Sequence, residues 1–258
     1  MIFNLIILIL LLIYYYKHEL KYLYDRYITK FNNIKIDVTD NTPQINKLNI
    51  CILSMDNRDL EYIQLHKKSW EKYSKLHGYK YIFENQCTNL PVYFCKYQRI
   101  LELMDTTNYE YYIWVDSDTI VNKKYINYTF ENMVNKVGTD TDLITSYPNS
   151  TFDPNNLFDR ALVGSFYMFK NNNQSRELLQ RCIDYIDISK WDNLSKGDCR
   201  YAGYCYEEAA LFYSINDSIN HKRIYGNFIS NKNYCDNNYF IIHNNSKDGI
   251  EQCFIDNS

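Results

Sequence analysis

The chain has no excess of positive charge, no cysteine pair spaced for a zinc site and no internal repeat. A net charge of −3 gives no electrostatic reason to expect a nucleic-acid partner. Eight cysteines (Cys51, Cys87, Cys95, Cys182, Cys199, Cys205, Cys235 and Cys253) form no CxxC pair. Their even number fits disulfides in an oxidising compartment and fits buried free thiols equally well. Alanine is scarce, whereas Asn, Tyr, Ile and Lys are heavily used; an AT-rich coding sequence explains that bias without any function.

One hydrophobic run is unbroken: residues 5–13, LIILILLLI, followed by Tyr14, Tyr15, Tyr16 and then Lys17. A helix over residues 2–16 would span roughly 22 Å, short of the ~30 Å hydrocarbon core. No small-residue cleavage site follows, which argues against a removed signal peptide. The expectation is an uncleaved, short anchor (1–16) with a tyrosine belt, suited to a thin membrane. A type II single-pass protein of the ER or Golgi, or a virus-encoded protein acting there, is the expected setting. Lys17, Lys21, Arg26 and Lys30 all lie after the run, and by the positive-inside rule they would leave the body in the cytoplasm instead. Sequons at Asn127, Asn149, Asn173, Asn193, Asn216 and Asn244 do not decide between the two, because so much Asn produces such triplets by chance.

Residues 17–47 are charged and tyrosine-rich and read as a stem or linker, leaving 48–258 as the main domain. Within it, apolar runs at 48–56, 79–85, 109–115, 142–148, 161–171, 223–229 and 239–243 predict strands. Helical spacing predicts helices over 58–77, ended by Gly78, and over 93–105, 173–186 and 206–215. Strands alternating with helices imply a mainly parallel α/β sheet covered on both faces. Such sheets bind ligands beyond the carboxyl ends of their strands.

The stretch YEYYIWVDSDTIVN (109–122) drives an apolar strand into two aspartates at that end. Alternation places Asp116 and Asp118 on one side of the chain, with Ser117 opposite. Two hard oxygen ligands so close suit Mg²⁺ or Mn²⁺, which leave positions for phosphate oxygens. A second DxD, Asp140 and Asp142, precedes its strand and reads as a solvated loop. A second apolar run, 239–242, delivers His243 at its carboxyl end, so His243 is a candidate third ligand, whereas His18, His66, His77 and His221 read as structural. Lys247, in the following polar turn, is placed to reach a phosphate, or is a plain surface lysine.

These stretches resemble the GT-A nucleotide-sugar glycosyltransferases, and most closely the family of yeast α-galactosyl- and α-mannosyltransferases and plant xyloglucan xylosyltransferases. The resemblance rests on KLHGYKY (75–81), KYQRILELMDTTNYEYYIWVDSDTIV (96–121), LVGSFYMFKNNNQSRELL (162–179), YEEAALFYSI (206–215) and FIIHNNSKDG (240–249). It implies a GT-A fold over about 48–250 and a transferase moving a hexose or pentose, with retention of configuration, from a nucleotide-diphosphate sugar to a glycan or glycoprotein acceptor. It also implies that Asp116, Asp118 and His243 hold Mn²⁺ (or Mg²⁺) on the donor diphosphate. Lys96 then faces the donor, Ser54, Ser117 and Lys247 join the donor site, and Gly164 with Ser165 forms the acceptor-side turn. Glu207 and Glu208 stand where the family has an acid followed by glutamine near the reacting sugar; they are the catalytic candidates, or else an acidic first turn that stabilises the helix at 206–215. The family's HFAGC ending is replaced here by HNNSK.

Two other functions fit parts of the sequence. A non-catalytic membrane-anchored module could retain the fold and bind a nucleotide sugar without turnover. An aspartate-nucleophile phosphatase would use DSDTIV with SKGD (195–198), but GDCRYAG lacks the further acid such an enzyme needs.

Overall fold

The computed structural model describes residues 32–39, 46–86, 92–146, 164–185, 207–230, 235, 237–244 and 249–257. The expected anchor, Lys247 and the 195–198 run lie outside them. Among the described residues no helix is long and apolar enough to cross a membrane.

Nine strands are described: β1 (Asn32–Ile36), β2 (Ile50–Met55), β3 (Lys80–Glu84), β4 (Tyr111–Val115), β5 (Thr119–Val121), β6 (Leu143–Ser146), β7 (Phe166–Lys170), β8 (His221–Gly226) and β9 (Ile241–His243). Seven form one sheet in the order β1-β8-β6-β7-β4-β2-β3, and β5 with β9 forms a second. In the large sheet β2 runs parallel to β3 and β4, and β6 parallel to β8. β7 runs antiparallel to both β4 and β6. The apolar runs of β2, β4 and β7 are buried almost throughout, as strands covered on both faces must be.

The helices are α1 (Glu61–His77), α2 (Cys95–Thr106), α3 (Phe130–Val137), α4 (Asn173–Asp184), α5 (Glu207–Ser214) and α6 (Ile250–Asn257). α1 stops where the sequence indicates: Gly78 takes φ 70°, a left-handed conformation that side chains resist, and Tyr79 N–H bonds Ser74 O at 2.9 Å. Its apolar stripe buries Ile63, Trp70 and Tyr73, and the Tyr73 ring packs against Phe130 and Phe240.

β1 falls in the stretch read as stem and instead lies at the edge of the sheet beside β8. Its approach to Gly226 is so close that a Cβ there would overlap the Ile36 carbonyl, and Val38 N–H bonds Asn227 Oδ1 at 2.9 Å. A disulfide joins Cys235 to Cys253 on α6, and Cys95 is also disulfide-bonded, whereas Cys51 and Cys182 are free and buried. Both readings of the cysteines therefore apply, to different residues.

Candidate active site

The acidic turn begins where β4 ends. The parallel register of β2 and β4 pairs Leu53 with Trp114, so three residues further on Asp56 stands opposite Ser117. Ser117 Oγ–H donates to Asp56 Oδ2. Thr119 secures the far side of the turn: its hydroxyl donates to Asp116 O at 2.6 Å and accepts from Trp70 Nε1 at 3.2 Å. His66 Nδ1 lies 2.6 Å from Thr119 O and Nε2 lies 3.0 Å from Tyr81 Oη. Burial lowers the His66 pKa to about 4, so the imidazole is neutral and structural, as expected.

β5 follows at once and pairs with β9 so that Thr119 faces His243, and Asn244 N–H bonds Asp118 O at 3.0 Å. His243 Nε2 is thereby held 3.4 Å from Asp118 Oδ1, with the imidazole buried. Two donors each about 2.1 Å from one cation, at angles near 100°, lie roughly 3.2 Å apart, so this pair suits shared ligation. Asp116 is differently placed. Its Oδ1 accepts from Trp114 Nε1 at 2.6 Å and from Lys96 Nζ at 3.4 Å. Among the described residues no set of three His, Cys, Asp or Glu side chains converges to hold an ion.

Lys96, on the first turn of α2, is buried and fully engaged. Its ammonium donates to Glu207 Oε1 at 2.9 Å, Gly164 O at 3.1 Å and Asp116 Oδ1 at 3.4 Å. Burial works against its charge, but Asp116 and Glu207 outweigh that and raise its pKa above the ordinary lysine value. Asp116 moves upward as well, because enclosure outweighs the attraction of Lys96. Glu208 accepts Gly164 N–H at 2.6 Å; burial and the neighbouring Glu207 carboxylate lift its pKa to about 7. Gly164 fits by having no side chain: a Cβ there would come within 2.8 Å of Glu207 Oε1 and 2.9 Å of Glu208 Oε1. Tyr97 Oη–H fixes the start of α5 through Glu207 O at 2.7 Å.

The structure thus gathers Asp116, Ser117, Asp118, His243, Lys96, Gly164, Glu207 and Glu208. Ser54 is fully buried in β2, and no contact among the described residues ties it to the acidic pair. Asp142 corrects an expectation: it is buried rather than solvated, and its carboxylate accepts Asn172 Nδ2–H and, at 2.8 Å, Asn220 N–H. Asp140 is exposed, as expected of a loop. Asp56 and Arg58 were not singled out by the sequence reading. Asp56 accepts Arg58 N–H and Nε–H on Oδ1, both at 2.9 Å, and Nη2–H on Oδ2 at 2.6 Å. The one local signal was a carboxylate at a strand's carboxyl end with an arginine two residues on.

No family model and no curated protein matches the chain. Among solved structures it is similar to a glycosyltransferase involved in the glycosylation of the major capsid of PBCV-1, with a TM-score of 0.59 and 15% identity over 81% of this chain and 98% of that one. The chain has the fold of a glycosyltransferase. A looser likeness, TM-score 0.47 and 14% identity, is to the glycosyltransferase GlyE of Streptococcus pneumoniae TIGR4, over 78% of this chain and 56% of that one. In this glycosyltransferase fold the gathered side chains lie beyond the carboxyl ends of β2 and β4, the end at which such sheets bind ligands.

Proposed function

We propose that the chain is a metal-dependent glycosyltransferase that moves a hexose or pentose from a nucleotide-diphosphate sugar to a glycan or glycoprotein acceptor, with retention of configuration. The observation that carries this reading is the Asp118–His243 pair at 3.4 Å beside a second aspartate, within a glycosyltransferase fold. The likeness to the yeast and plant family supplies the sugar classes and the retention, and attachment through residues 2–16 would place the enzyme on a membrane.

In this reading Asp118 and His243 would hold Mn²⁺ or Mg²⁺, with Asp116, whose Oδ2 has no hydrogen bond among the described residues, beside them. When bound, the ion supplies Lewis-acid stabilisation of the charge that develops on the departing diphosphate. The other work falls to the chain. Ser117, clamped by Asp56, fixes the turn so that Asp118 stays aimed. Lys96 neutralises Glu207 and Asp116 and holds the former against Gly164. Glu208, held by Gly164 N–H, is the carboxylate that would face the positive charge growing at the anomeric carbon.

The test is a screen of nucleotide sugars for release of nucleoside diphosphate by the full-length protein, with Mn²⁺ and with a chelator. Mn²⁺-dependent release from one donor, lost in Asp118→Asn, is the expected result; binding without turnover would favour the non-catalytic module. No observation favours the phosphatase reading.

A further inference from the structure

The site has an excess of negative charge. Asp56, Asp116, Asp118, Glu207 and Glu208 gather there, yet a nucleotide-diphosphate donor is itself an anion. Lys96 does not relieve this directly. An ammonium has three N–H bonds, and those of Lys96 go to Glu207, Gly164 and Asp116.

Arg58 is held differently. Nε and Nη2 are committed to Asp56, which is buried, while the Arg58 side chain as a whole is 59% exposed. Nη1 makes no hydrogen bond among the described residues, so its two protons are uncommitted. The grip is rigid for an arginine, because Asp56 receives four hydrogen bonds: three from Arg58 and one from Ser117 Oγ. Those four occupy all the lone pairs of the carboxylate, so Asp56 has none left to ligate an ion. They also bring its pKa below the ordinary Asp value although burial works the other way. Arg58 is thus referenced to the acidic turn through one side chain, and Asp118 lies near enough to help stabilise its charge.

We propose that Arg58 is a diphosphate-binding residue of the donor site, its Nη1 taking a phosphoryl oxygen, with Asp56 as the positioning residue that aims it. The proposal rests on the reading that the site takes a nucleotide-diphosphate sugar. A forked guanidinium suits phosphate better than an ammonium does, since its donors lie in one plane at fixed separation.

The experiment compares wild type, Arg58→Gln and Arg58→Lys as full-length proteins in two equilibrium titrations, with Mn²⁺ alone and with pyrophosphate at saturating Mn²⁺. Pyrophosphate is chosen because it needs no knowledge of the base or sugar. Arg58→Gln should weaken pyrophosphate by about 10-fold or more, the loss expected for a charge-assisted hydrogen bond. Its affinity for Mn²⁺ alone should be unchanged or tighter, because a positive charge near Asp118 has gone. Arg58→Lys, with charge but no fork, should fall between. A parallel loss of Mn²⁺ and pyrophosphate affinity in Arg58→Gln would make Arg58 a structural brace and overturn the proposal. Unchanged pyrophosphate affinity would overturn it too, leaving the donor-site reading intact. A wild type that binds neither probe would remove the proposed function and this inference with it.

Discussion

Thr119 and His243 face each other across the β5–β9 register, and that pairing sets His243 Nε2 3.4 Å from Asp118 Oδ1. Three residues of antiparallel pairing join positions more than a hundred residues apart in the chain. Trp70 Nε1 donates to the Thr119 hydroxyl and Asn244 N–H to Asp118 O, so the backbone on both sides of the pair is fixed.

Gly164 carries the next consequence. Its missing Cβ is what lets both glutamates close on the loop, and the atoms a Cβ would strike are flexible carboxylate ends rather than backbone. Gly164→Ala should therefore leave the melting temperature within a few degrees of wild type while turnover drops at least ~10-fold, since small displacements of reacting groups are costly in rate. Thermal melts and initial rates on the same preparation check it.

Lys96 is a buried cation between two carboxylates. Removing one partner of such a set strands the others, at a cost of about 3–5 kcal/mol. Lys96→Met should lose stability of that order in urea unfolding, together with activity.

Glu208 makes stability depend on pH in a direction opposite to that of a salt-bridged acid. Its pKa in the folded protein is about 7, well above that of an unfolded glutamate. Between about pH 4.5 and 7 the unfolded chain releases this proton while the folded protein keeps it, so wild-type stability falls as pH rises through that window and levels off above it. Glu208→Gln does not titrate. Its stability relative to wild type should therefore rise across the window by up to about 3 kcal/mol, measured by unfolding at pH 5 and pH 8.

Asp142 separates fold from site. Asp142→Ala would leave Asn220 N–H and Asn172 Nδ2–H, both half-buried, without their acceptor, a loss of about 0.5–1.5 kcal/mol for each hydrogen bond. The variant should melt lower while its affinity for a nucleoside diphosphate is unchanged.

The central strands were legible because buried parallel strands are continuous apolar runs, and the acidic pair because it interrupts one at its carboxyl end. His243 was legible for the same reason. β5 was not, since three residues after a turn carry no period of their own, and β1 was not, since an edge strand reading NNIKI is mostly polar. Asp142 misled because its partners, Asn172 and Asn220, lie 30 and 78 residues away. Asp56 escaped notice for a similar cause: its link to Ser117, 61 residues on, exists only through the β2–β4 register.

The most direct measurement is a calorimetric titration of a nucleoside diphosphate into wild type, Asp118→Asn and His243→Ala, each with and without Mn²⁺. Wild type should bind only with the ion, and either substitution should weaken that binding at least ~10-fold, the lower end for a disturbed metal site. Equal affinity with and without Mn²⁺, or variants that bind as wild type does, would contradict the Asp118–His243 pair as the seat of the metal.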